Sequence, residues 1–64
     1  MMNLWQYNRK DVEITLKDGK KVSGFVEDFC ESFDNAEEME SLLVDIKGES
    51  KEYFEDEILA IELI

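Results

Sequence analysis

The stretch Val12-Glu13-Ile14-Thr15-Leu16-Lys17-Asp18-Gly19-Lys20-Lys21-Val22-Ser23-Gly24-Phe25-Val26 decides the fold class. Val12, Ile14 and Leu16 alternate with Glu13, Thr15 and Lys17, the period of two that gathers apolar groups on one face of a strand. Asp18-Gly19 follows at once, and such a pair marks a tight hairpin because glycine accepts the positive φ the turn requires. Alternation then resumes through Val22, Gly24 and Val26. Gly24 falls on the inward face of this second strand, where a missing side chain leaves room for a sharp bend.

The same pattern recurs downstream. Residues 41–47 alternate Leu42, Val44 and Ile46 against Leu43, Asp45 and Lys47, predicting a third strand. Gly48-Glu49 is a turn signal, residues 50–54 make a short fourth strand, Glu55-Asp56-Glu57 a tight turn, and residues 58–64 a closing strand rich in Ile and Leu. Between the second and third strands, residues 30–40 read as an acidic loop, with room for a short helix from Asn35 to Met39. Leu4, Trp5 and Tyr7 near the N-terminus are placed either as a lid on the core or as a face toward a neighbouring subunit. Five short strands with a bent second strand predict a small all-β barrel, since closure removes exposed sheet edges.

The chain of 64 residues is one domain, without proline, repeat or linker to mark a second. A domain of this size buries only ~60% of the surface its unfolded chain exposes, so a supplement is expected. The single Cys30 makes no intrachain disulfide, and without histidine a lone thiol makes no structural zinc site. Self-association is what remains. One cysteine also suits a reducing compartment. The first residues lack the basic and apolar regions of a secretory signal, and nothing approaches the ~20 apolar residues of a membrane helix. The expectation is a cytoplasmic protein without a membrane partner.

The net charge of −10 is unevenly spread: +2 over residues 9–21, −7 over residues 27–40 and −5 from residue 41 onward. One end of the first hairpin is thus mildly basic, drawing on Arg9, Lys10, Lys17, Lys20 and Lys21, and everything after Val26 is acidic. Glu31, Asp34, Glu37, Glu38 and Glu40 lack calcium-loop spacing and read as a solvated charge run. No metal or cofactor is expected. Cys30 has no histidine to activate it, no Gly-rich phosphate loop is present, and no carboxylate pair stands out as an acid/base couple. The chain is therefore read as a non-enzyme.

These residues resemble a known family. Residues 12–26 are similar to the first motif of Sm and Sm-like proteins, in which a hydrophobic strand, an Asp-Gly turn and a glycine at the bend recur. Glu52-Tyr53-Phe54-Glu55-Asp56-Glu57-Ile58-Leu59-Ala60-Ile61-Glu62-Leu63 resembles the tail of such chains. The resemblance implies a five-stranded, strongly bent SH3-like barrel. It also implies ring assembly through the last strands, with Tyr53, Phe54, Ile58, Ile61 and Leu63 as interface or core positions. It further implies single-stranded RNA at a loop carrying Asp and Asn, for which Phe33-Asp34-Asn35 is the counterpart, helped by Lys20 and Lys21. Lys47-Gly48 looks like the family's second RNA loop, but the residues still to come make it an ordinary hairpin turn. RNA affinity rests largely on Lys and Arg, and the loop here is acidic. The leading expectation is accordingly a self-assembling protein-interaction scaffold. An RNA-binding ring is the alternative, and an acidic nucleic-acid mimic that blocks a basic partner is a third.

Overall fold

Strand β1 (Asp11–Leu16) and strand β2 (Lys21–Cys30) form the hairpin on which everything else is built, in a computed structural model that describes residues 3–31 and 39–64. Leu16 and Lys20 close its turn, the Leu16 N–H donating to the Lys20 carbonyl at 2.8 Å. Asp18 braces it by accepting from the Lys20 N–H at 2.9 Å. Strands β3 (Ser41–Ile46), β4 (Glu49–Phe54) and β5 (Ile58–Leu63) complete one antiparallel sheet, in the order β4-β3-β2-β1-β5. The fold is all-β and barrel-like, as the alternation predicts.

The long β2 makes the bend. Its first half, from Lys21 to Phe25, pairs with β1, and its second half, from Phe25 to Cys30, pairs with β3. The handover is eased by a bulge between Val26 and Asp28, which increases local twist. Gly24 sits just before it. A Cβ there would overlap the Asp45 carbonyl oxygen and come within 2.8 Å of a Val44 methyl. Gly24 therefore does more than relax a bend: it lets β3 approach β2 closely.

Val12, Ile14, Val26, Leu42, Val44, Tyr53 and Ile58 fill the inside of the curl. Each buried aliphatic contributes roughly 1.5–3 kcal/mol relative to exposure. Leu4 joins them from a 3-10 turn over Leu4–Tyr7 and is fully buried, so the N-terminal segment is a lid through Leu4. Trp5, its neighbour, points away and is 62% exposed. The chain then enters β1 through Arg9 and Lys10, whose backbone groups exchange hydrogen bonds of 2.9 Å with Val26.

The β3–β4 turn is Lys47-Gly48, with Ile46 paired to Glu49, so β4 begins one residue earlier than the turn signal at Gly48-Glu49 implies. Both turn residues have positive φ, the two-residue hairpin geometry whose twist matches the strands. The Asp45 carboxylate accepts from the Gly48 N–H at 2.9 Å and fixes it. A second 3-10 turn, Glu55–Glu57, joins β4 to β5 and is held by the Phe54 N–H donating to the Glu57 side chain at 3.0 Å. The stretch predicted as a short helix, together with Phe33, Asp34 and Asn35, lies essentially outside the described residues.

Candidate functional site

Because β5 pairs with β1 and β4 with β3, β4 and β5 are the two edges of the sheet and do not pair with each other. An unpaired edge is a row of open backbone donors and acceptors, and proteins manage it by what they place there. The two edges here differ in chemistry. Strand β4 carries Glu49, Lys51 and Glu52, whereas β5 carries a single charge, Glu62. On β4 the charges reach the inward side: Glu49, Lys51 and Tyr53 stand across from Ile46, Val44 and Leu42. Val44 and Leu42 are fully buried, yet Lys51 is exposed, because the core ends at Tyr53. An inward-pointing charge is one of the devices that blunt an edge against strand addition.

Strand β5 has little such protection. Ile58 is buried and Ile61 partly so, but Leu59, Leu63 and Ile64 are 62%, 59% and 76% exposed. Leu63 stands opposite Val12 on the core side of the sheet, where no described residue covers most of it. The Ile64 N–H continues the pairing by donating to the Asp11 carbonyl at 3.1 Å. A bulge at Leu59 disturbs only the beginning of the strand. With Trp5, these three side chains make up the exposed large hydrophobics of the described residues.

The residues singled out by sequence separate accordingly. Of the interface or core set, Tyr53 and Ile58 belong to the core, Phe54 and Ile61 are half-buried, and Leu63 is exposed. Lys20 and Lys21 lie at the β1–β2 turn, where β2 begins, whereas the loop holding Asp34 and Asn35 leaves from its far end at Cys30. Asp34 and Asn35 themselves lie outside the described residues. Lys17, Lys20 and Lys21 gather at the turn end of the first hairpin, the basic end expected, while Arg9 and Lys10 stand at its other end. All six residues of β1 separate Arg9 and Lys10 from Lys17, Lys20 and Lys21, a span of about 20 Å in extended chain.

Arg9 is engaged locally, its guanidinium 5.4 Å from the Phe25 ring centre and donating to the Glu27 carbonyl at 3.4 Å. Cys30 ends β2 across from Ser41 and is half-buried. Ser41 is fully buried and donates to the Glu52 carboxylate at 2.7 Å. Among the described residues no group of three or more Cys, Asp or Glu is placed to hold a metal ion. No described helix is long and apolar enough to cross a membrane.

Two of the surface clefts among the described residues bear on the site. The smaller, about 200 Å³, lies between Leu16, Lys17, Asp18 and Glu57, where the Lys17 N–H donates to the Glu57 carbonyl at 3.0 Å. The larger, about 260 Å³, is lined by Val22, Ile46, Lys47, Glu49, Lys51 and Tyr53. Sequence reasoning left this second cleft out, although the signal was present: Lys51 is in phase with Tyr53 along β4, so an inward lysine follows from the alternation. Comparison of the chain with protein-family models, curated proteins and solved structures gives no match.

Proposed function

We propose that this chain is a small acidic Sm-like module that self-assembles through its β5 edge and serves as a protein-interaction scaffold. The observation that carries the reading is the chemical difference between the edges: β5 is open and apolar, with Leu59, Leu63 and Ile64 exposed, while β4 has charges on its inward side. Burying those three side chains recovers stability that a domain of this size cannot find internally.

The same difference favours one geometry. Joining β5 of one copy to β4 of the next makes a head-to-tail ring, but it sets Lys51 against Ile58, Ile61 and Leu63, none of which offers it a charge. Removing an unpaired ammonium from water is costly. Joining two β5 edges makes a closed two-fold dimer with aliphatic groups on both sides. The test is native mass spectrometry of the protein purified gently from its expression host. The expected species is twice the 7.5 kDa chain mass and free of nucleic acid. A larger closed ring sinks the β5-to-β5 geometry but keeps the scaffold, a clean monomer sinks self-assembly, and an oligomer carrying RNA supports the RNA-binding alternative instead.

A further inference from the structure

Strand β4 raises a question that assembly through β5 leaves open: what its inward charges do. Tyr53, Lys51 and Glu49 follow one another along the inner side of the strand, facing Leu42, Val44 and Ile46 in turn. Past Tyr53 the curl is not closed, because among the described residues no strand pairs with β4 on that side. The result is the cleft of about 260 Å³, with Val22 and Ile46 as apolar floor and Tyr53 at its inner end.

Its polar groups have no partner among the described residues. Tyr53 is 8% exposed, its hydroxyl makes no hydrogen bond with another described residue, and no buried side-chain N or O atom is left unsatisfied among them. The ammonium groups of Lys47 and Lys51 form no ion pair among the described residues, and neither does the Glu49 carboxylate. The Tyr53 hydroxyl and two ammonium groups, without partners among the described residues, therefore border one apolar hollow, a small set of polar groups on a hydrophobic floor of the kind that marks ligand sites. Two lysines and one glutamate leave the rim with a surplus of one positive charge, on a chain whose net charge is −10.

We propose that this cleft binds a small organic monoanion, a single carboxylate carried on a flat apolar body. The lysines take the carboxylate, the Tyr53 hydroxyl donates to it, and Val22, Ile46 and the Tyr53 ring hold the body. Volume and charge both restrict the ligand. The space falls below the ~300–1,000 Å³ of drug-sized sites, which limits the body to about one ring. Glu49 and the acidic field of the whole chain disfavour a second negative charge, so phosphate monoesters and dicarboxylates are excluded. Assembly through two β5 edges leaves the cleft open, so the site is the same in the monomer and in that dimer.

Benzoate is the probe, titrated into the full-length protein and followed by backbone amide NMR shifts. Saturable shifts confined to Val22, Ile46, Gly48, Lys51 and Tyr53 are expected. Lys51→Gln should weaken binding at least about five-fold, the effect of losing one exposed charge pair of ~1 kcal/mol. Benzyl alcohol and inorganic phosphate should each bind at least as much more weakly than benzoate, and Lys17→Gln should change nothing. Lys47→Gln is the second variant should Lys51→Gln lose its dispersed spectrum. The proposal is overturned if benzoate fails to saturate by about 10 mM. It is equally overturned if Lys17, Lys20 and Lys21 shift as much as the cleft, or if benzyl alcohol binds as tightly as benzoate.

Discussion

Gly24 and the Asp45 carbonyl lie closer than any side chain at position 24 would allow: a Cβ on Gly24 would overlap that oxygen and crowd a Val44 methyl at 2.8 Å and the Ile46 Cγ1 methylene at 3.1 Å. The contact sits where β2 passes from β1 to β3, so it sets how tightly the sheet can curl. Gly24→Ala must push β3 away, and backbone cannot rotate aside as a flexible side chain does. The expected cost is about 2 kcal/mol, a fall in Tm on the order of 10 °C for a domain this small. Ser23→Ala, one residue away on the outer face, should stay within about 0.5 kcal/mol. Equal Tm values for the two variants would disprove the close approach.

Leu4 and Trp5 adjoin in sequence and part company in space, one fully buried and the other 62% exposed. Leu4→Ala should destabilise the fold by about 3 kcal/mol in urea denaturation, the usual result of emptying a leucine site in a core. Trp5→Ala should change stability by no more than about 0.5 kcal/mol. A neutral Leu4→Ala would mean that the N-terminal turn is not part of the core.

Lys47 holds φ of 53° in the β3–β4 turn, a conformation that costs a side-chain-bearing residue roughly 1 kcal/mol and that asparagine tolerates better. Lys47→Asn produces the Asn-Gly pair this turn type prefers. A gain of about 0.5 kcal/mol is expected by thermal unfolding, and a loss would count against the turn geometry.

Assembly is tested from both edges. Leu63→Glu places a charge at the exposed apolar edge without touching the core and should convert the oligomer to monomer in analytical ultracentrifugation, with the circular dichroism spectrum retained. Lys51→Val removes the inward charge from β4 and should produce association beyond the dimer, because the blunted edge becomes a second adhesive one. Unchanged sedimentation in both variants would remove the basis for edge-directed assembly.

Salt separates protein association from RNA binding by sign. Copies carrying −10 each repel one another, so raising salt from about 50 to 500 mM should tighten self-association as the charges are screened. Binding to RNA through Lys20 and Lys21 should weaken over the same range as counterion release becomes less favourable. Sedimentation and fluorescence anisotropy with a short single-stranded RNA, run in parallel, read the two signs directly.

The strands were legible because their signal is local. Val12-Ile14-Leu16 and Leu42-Val44-Ile46 announce their faces by period alone, and Asp18-Gly19 announces its turn by the φ it permits. What local pattern does not carry is which strands are left without a partner. That β5 returns to β1, leaving Leu63 uncovered opposite a buried Val12, depends on how the whole sheet curls. The sequence by itself therefore determined the class of fold, the turns and the placement of charge, since each follows from backbone geometry over a few residues. Tertiary structure alone decided that Leu4 is core while Trp5 is surface. It also decided that the inward Lys51 lies over an open cleft, because burial and neighbourhood belong to the curled sheet and not to any single strand.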